Sequence, residues 1–277
     1  MNYFSNFHPI TVFCYFIAAI GLNIFVFDPV LFAIFLVSQS LFYLYLKGIQ
    51  DGIRFVSGCF ALIPICAGVN GLVNHRGVSV LFFFWGLPVT KETILYGGIT
   101  GLLLSSSLIL FGCLSHIMTS EKIMCLFARH LPGFSLVFSM ALRLVPKIKR
   151  DFRQLRMHHG MQPGIVSALI GIALEDSMDT GVSMEYRGYG RGNRTSIYRR
   201  KIKVRDIFLL GMMAVILLSG ICLYIVSETG IEVFPYTEYI IDIRGIAAYV
   251  AFGLFLNLPM IINAKEEIRW KRIVSRI

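Results

Sequence analysis

Apolar positions along this chain gather into six long runs that contain no Asp, Glu, Lys or Arg: 10–27, 29–46, 55–73, 93–118, 207–227 and 245–264. Each reaches the roughly 18 to 25 residues that an α-helix needs to cross about 30 Å of hydrocarbon, so each predicts a membrane span. Only Asp28 separates the first two runs and Pro29 opens the second, which predicts a tight helical hairpin. No basic residue precedes the first run and no small-residue cleavage site follows it. It reads as a retained span and not as a removed signal peptide.

Between the fourth and fifth runs the pattern changes from continuous to periodic. From Pro132 to Met157, Leu136, Val137, Met140, Ala141, Leu144, Val145, Ile148, Phe152 and Leu155 recur at steps of three and four. This spacing predicts one amphipathic helix, about 40 Å long at 1.5 Å per residue. Lys147, Lys149, Arg150, Arg153 and Arg156 occupy its other face, which suits anionic headgroups as well as a protein partner. His158-His159-Gly160 and Pro163-Gly164 then interrupt the pattern, and a second helix is predicted over about 165–186. In it Ile165, Ala168, Leu169, Ile172 and Val182 are expected to pack on the neighbouring helix, while Glu175, Asp176 and Asp179 form a polar patch.

Arg187 stands at the end of this second helix and Gly188 follows it, the residue type that most readily takes the left-handed conformation closing a helix. The consequence is an exposed guanidinium on a helix stop. With Gly188 and Gly190 removing side-chain bulk, such a tip suits entry into a partner's groove and a bidentate pair with a carboxylate there. An arginine favoured at that place by the helix dipole alone is the other reading. Elsewhere, Asn74-His75-Arg76-Gly77 precedes the apolar run 78–85, which is too short to cross a bilayer and rich in β-branched and aromatic residues. It predicts an interfacial or re-entrant element within 74–90.

Composition sharpens this picture. Apolar residues make up 56 % and charged residues 15 %, with a mean hydropathy of +0.71. That excludes a disordered chain and leaves too little polar surface for a soluble domain of this size. Lys and Arg outnumber Asp and Glu by 26 to 16. In a water-soluble protein that excess would raise the question of nucleic acid; here it sets orientation, and no nucleic-acid partner is expected. Region 119–206 holds 16 of the 26 basic residues against 7 acidic ones, so it is predicted to be cytoplasmic. The segment with Glu228, Glu232, Glu238 and Asp242 fits the outside, and the tail with Lys265, Arg269, Lys271, Arg272 and Arg276 returns inside. The expected architecture is an all-α polytopic membrane protein with about six transmembrane helices. Its parts are a membrane domain 1–118, a cytoplasmic domain 119–206 of long amphipathic helices, and a second membrane domain 207–277 with a basic tail. Both termini are expected in the cytoplasm.

Reactive chemistry is sparse. The six cysteines, Cys14, Cys59, Cys66, Cys113, Cys125 and Cys222, form no C-x-x-C pair and are expected to act as small buried hydrophobes. His158 and His159 diverge by about 100° on a helix and have no evident third ligand, so no metal site is expected. A G-x-x-x-x-G-K-[ST] loop is absent, which argues against ATP hydrolysis by this chain. Asp176 and Asp179 are few carboxylates for an integral membrane phosphotransferase. The spans hold no ionisable group of the midplane kind, His116 near an inner end apart, which disfavours a stand-alone channel or carrier.

The run 183–190, Ser-Met-Glu-Tyr-Arg-Gly-Tyr-Gly, with Arg194 and Thr195 after it, resembles the Ala-Met-Glu-Ala-Arg-Gly-Tyr-Gly motif of the transmembrane T components of energy-coupling factor transporters. Two further runs are similar to that family: Ala141-Leu142-Arg143-Leu144-Val145-Pro146, and Asn74-His75-Arg76-Gly77-Val78 through Leu87-Pro88-Val89-Thr90. The resemblance extends over nearly the whole chain. It implies a non-catalytic scaffold in the cell membrane that holds two ABC ATPase subunits and a membrane-embedded substrate-binding S component for vitamin uptake, with ATP and magnesium bound by the ATPases and no cofactor of its own. It further implies docking of the ATPases at Tyr186, Arg187 and Gly188. The family's first docking motif is often Ala-Arg-Gly, where this chain has Met157-His158-His159-Gly160; either His159 takes the arginine's place or Arg156 serves from one turn back. Leu136, Met140, Leu144, Ile148 and Ile172 would then face the S component. A T component of a cobalt- or nickel-type importer is the nearest alternative.

Overall fold

A computed structural model describes residues 3–74, 77, 79–84, 87–159, 164–189, 202–227, 230–232, 238–240 and 242–274. The chain is an all-α polytopic membrane protein. Its described helices are α1 (Pro9–Phe25), α2 (Pro29–Lys47), α3 (Ile49–Val73), α4 (Lys91–Ile117), α5 (Ser120–His130), α6 (Pro132–His159), α7 (Gly164–Tyr186), α8 (Val204–Val226) and α9 (Ile243–Val274). Five of them, α2, α3, α4, α8 and α9, are long and apolar enough to cross a membrane. The sixth expected span, α1, has 17 residues, about 26 Å at 1.5 Å per residue, the short end of a crossing length. Among the described residues two antiparallel strand pairs interrupt the helices: β1 (Val80–Phe84) with β2 (Leu87–Thr90), and β3 (Gly230–Glu232) with β4 (Glu238–Ile240). The short apolar run expected to be interfacial is thus a hairpin. The chain divides into two compact units: a membrane unit, Met1–Thr119 with Ile202–Ile277, and a helical unit, Ser120–Lys201.

Local chemistry sets the helix starts of the membrane unit. His8 caps α1, its Nδ1 accepting from the Ile10 amide at 3.2 Å, and Pro9 follows at the first helical position. Asp28 repeats the device for α2, accepting from the Val30 amide at 3.0 Å with Pro29 next. Gly48, with φ +88°, turns α2 into α3 in a conformation that a side chain would strain. Three boundaries pass the charges that bounded the apolar runs. α3 begins at Ile49 and takes in Asp51 and Arg54, α8 takes in Arg205 and Asp206, and α9 continues through Lys265 to Val274.

α2, α4 and α9 form the interior, with 44, 39 and 44 % of their apolar windows buried, against 11 % in α3 and 17 % in α8. α3 lies close on α4 because Gly97 and Gly101, one turn apart, leave room for backbone. A Cβ at Gly101 would stand 2.9 Å from Ile63 Cα, and one at Gly97 2.8 Å from Ala67 Cα. This is the small-residue packing of membrane helices, where no hydrophobic force pulls one helix onto another. Gly220 seats the Phe252 ring in the same way between α8 and α9.

Polar side chains tie the bundle together. Asn23 donates to Ser107 Oγ at 2.7 Å and accepts from Ser106 Oγ at 3.0 Å, joining α1 to α4. Ser105 Oγ donates to the Cys59 carbonyl at 2.7 Å. Tyr15 donates to the Leu256 carbonyl at 2.9 Å and accepts from Gln39 Nε2 at 3.2 Å, linking α1, α9 and α2. Asp28 is fully buried and accepts from the hydroxyls of Tyr249 and Tyr224, so the α1–α2 turn is clasped by α9 and α8. At the N-terminus, Phe4 is fully buried, its amide donating to Asn263 Oδ1 at 2.8 Å and its ring edge-on to Tyr15 at 5.5 Å.

Candidate docking site

The helical unit starts from an aromatic corner. The Phe127 ring on α5 meets Phe134 on α6 at 5.3 Å, and Phe134 stacks on Phe138 at 5.9 Å. From there α6 runs unbroken to His159, with Pro146 inside it. Its 28 residues amount to about 42 Å and the 23 of α7 to about 35 Å. Lys147 of α6 pairs with Asp176 of α7 at 2.5 Å, with both side chains more than a third exposed.

α7 differs from its expected packing. Of the residues assigned to its contact with α6, Ile165 is buried and Leu169 half-buried, whereas Ala168, Ile172 and Val182 are exposed. An apolar ridge at steps of four, Val166, Ile170, Leu174, Met178, Val182 and Tyr186, is at least half exposed at every position. Steps of four advance by about 40° on a 3.6-residue helix, so this ridge winds partly around α7. A helix that is apolar on most of its faces is normally covered; among the described residues this ridge is not. Periodicity missed this because it assigns one core face to each helix.

The end of α7 is built as the sequence predicts. Gly188 takes φ +74°. Its amide donates to the Glu185 carbonyl at 2.9 Å, and the Tyr189 amide to the Met184 carbonyl at 3.0 Å. These two bonds are a Schellman closure, which satisfies helix-end carbonyls and ends the helix sharply. Nothing lies within 4 Å of the place a Gly188 Cβ would occupy. The glycine is there for its backbone conformation. Arg187 is exposed and Tyr186 is 87 % exposed. Among the described residues the Arg187 guanidinium forms no ion pair. A guanidinium donor fork thus stands on a sharply closed helix stop beside an exposed aromatic ring. The tip is suited to carboxylate recognition with an aromatic anchor.

At the far end of α6, Arg156 is exposed in the last turn and His159 is the final helical residue; the His159 side chain, like Gly160, Gly190, Arg194 and Thr195, lies outside the described residues. Leu136, Met140, Leu144 and Ile148 are half-buried along α6, and Met140 and Leu144 line a crevice shared with α7. Ile172 is on α7, 41 % exposed.

The run within 74–90 has a structural role at Gly77. Gly77 has φ +134°, and a Cβ there would meet Glu92 Oε2 at 2.6 Å and Thr90 Oγ1 at 2.7 Å. Beside it, Ser79 Oγ donates to Glu92 Oε1 at 2.6 Å, and the Lys91 amide donates to the Ser79 carbonyl at 2.9 Å. The glycine lets the chain pass close to the α4 N-terminus and pin the β1–β2 hairpin there. His75, Arg76 and Val78 lie outside the described residues.

The cysteines correct one expectation. Cys59 and Cys113 are buried, but Cys14 and Cys222 are exposed on apolar helices. The reason is that membrane helices expose apolar residues to the bilayer, so an apolar run does not imply burial. Among the described residues no three His, Cys, Asp or Glu side chains gather as metal ligands. Compared with models of protein families and with curated proteins, the chain matches none.

Proposed function

We propose that this chain is the transmembrane coupling subunit of an energy-coupling factor importer in the cell membrane. It transmits ATP-driven motion of two ABC ATPase subunits to a membrane-embedded S component that carries a micronutrient such as a vitamin. Both termini and the helical unit lie in the cytoplasm on this reading, in keeping with the 16 basic residues between 119 and 206. ATP and magnesium belong to the ATPases, and this chain performs no bond chemistry.

The observation that carries the proposal is Arg187, exposed beyond a Schellman-closed α7 with Tyr186 exposed beside it. Together with the sequence motif around it, this tip fits a groove that offers a carboxylate. Closure of the ATPase pair displaces the tip, and α7, about 35 Å of continuous helix, passes the displacement along its length. The exposed ridge of α7 supplies an apolar surface for a membrane partner.

The test is affinity purification of the tagged chain in mild detergent, with Arg187→Glu compared with wild type. Like charges brought together in an interface cost several kcal/mol, so the variant is expected to lose the ATPases by about a hundredfold or more while its helical content stays unchanged. An Arg187→Glu protein that retains both ATPases overturns the docking role.

A further inference from the structure

Between α6 and α7 lies a crevice of about 470 Å³. Its lining is graded along α6. Val137, Met140 and Leu144 line the end nearer the start of the helix, and Lys147 and Arg150 the other, with Arg143 beside Leu144. Val137 to Arg150 covers about 20 Å of helix axis. Arg143 and Arg150 are seven residues apart, two turns on nearly the same stripe. Among the described residues Asp176 is the one carboxylate in the lining, and it is engaged by Lys147 at 2.5 Å. The crevice therefore holds three cations against one anion, next to an apolar trough closed on the α7 side by Met184.

A free inorganic anion would use the cations and leave the trough to water. A molecule with an anionic head and a hydrocarbon tail uses both. The five apolar helices already place this chain in a bilayer, where such molecules are the surrounding medium, and clustered Lys and Arg attract anionic lipid. We propose that the α6–α7 crevice binds one anionic phospholipid, its phosphate held between Arg143 and Arg150 and an acyl chain lying on Met140, Leu144 and Met184. The lipid fills the gap that the Lys147–Asp176 pair spans, so the seating of α7 on α6 depends on the anionic lipid content of the bilayer. This does not rest on ATPase docking at Arg187, and the experiment below involves no ATPase.

The full chain is placed in nanodiscs of phosphatidylcholine alone or with phosphatidylglycerol added, and lipid retained after release is counted by native mass spectrometry. Wild type is expected to keep one phosphatidylglycerol. Arg143→Gln with Arg150→Gln removes two charge-assisted contacts, and retention is expected to fall by about tenfold or more. Lys149→Gln with Arg153→Gln removes the same charge from exposed positions outside the crevice and is expected to keep the lipid. Met140→Trp, which fills the trough and leaves the cations in place, is expected to lose it. Equal losses in the two double variants mean diffuse attraction and overturn the proposal. Retention in Met140→Trp overturns it as well. So does inorganic phosphate alone displacing the lipid, or a protein cross-linked in the crevice in the lipid's place. Circular dichroism of each variant excludes unfolding as the cause of loss.

Discussion

The membrane unit and the helical unit differ in how polar and small residues join their helices. In the membrane unit, several polar side chains are buried and paired from helix to helix, as Asn23 is with Ser106 and Ser107 and Asp28 with Tyr224 and Tyr249. Its glycines at 97, 101 and 220 are contact points, while those at 21, 58, 68, 98 and 211 meet nothing within 4 Å. In the helical unit, the ion pair of Lys147 with Asp176 is partly exposed, and Gly164, Gly171 and Gly181 of α7 face open space. Hydrocarbon cannot drive apolar helices together, so a membrane bundle is held by close approach and hydrogen bonds. In the helical unit α7 keeps its apolar ridge uncovered.

The sharpest way to break this contrast is to place the same methyl group in both units. Gly101→Ala sets a Cβ 2.9 Å from Ile63 Cα, a backbone atom that cannot rotate aside. α3 and α4 must separate, at a cost of about 3 kcal/mol or more, and a large loss of folded protein in detergent is expected. Gly171→Ala meets nothing within 4 Å and replaces the poorest ordinary helix former with the best. It is expected to stabilise α7 by up to about 1 kcal/mol, read as slower amide exchange across Gly164–Tyr186. If the two variants shift stability alike, the units are not built on different terms.

A second comparison sets two aspartates against each other. Asp28→Ala removes the α2 cap and the carboxylate to which Tyr224 and Tyr249 donate, so a loss of about 3 kcal/mol is expected by thermal or denaturant unfolding of the purified chain. Asp28→Asn keeps an acceptor oxygen and is expected to recover part of it. Asp176→Ala is expected to cost under about 1 kcal/mol, since its pair with Lys147 is more than a third exposed and screened by solvent. A small effect at Asp28 would mean that the clasp on the α1–α2 turn is incidental.

How much of this was legible beforehand depends on whether the signal was local. The positions of the membrane helices were readable, since a charge-free run long enough to cross a bilayer has few other uses. The limits of α6 and α7 were also readable, because Pro132 can open a helix and Gly188 can close one. Boundaries beyond the first charge were not, because Arg205 and Lys265 are good helix formers and Asp51 is favoured in a first turn, and a count of uncharged stretches discards all three. Helix partners were less accessible still. The G-x-x-x-G spacing of Gly97 and Gly101 was present in the sequence, but its identification with α3 needs the Ile63 backbone opposite. Asp28 read as a loop residue, because its two tyrosines lie about two hundred residues away. At the candidate site, the Arg187–Gly188 stop was legible, whereas the exposure of Ile172 and Val182 was not, because periodicity does not say which of several apolar faces is covered.

The smallest expected effect separates packing from position. Lys147→Ala should change the stability of the chain by under about 1 kcal/mol, and the coupling measured against Asp176→Ala in a double-mutant cycle should shrink as salt is raised, because the pair is open to screening. If the pair serves to hold α7 at one angle on α6, a spin-label distance between the two helices should broaden in Lys147→Ala while the melting temperature scarcely moves. An unbroadened distance would mean that the other contacts between α6 and α7 set the angle without the pair. On the proposed coupling role, a bridge that fixes geometry without adding stability is what the helix pair needs, since a joint that locked by several kcal/mol would resist displacement.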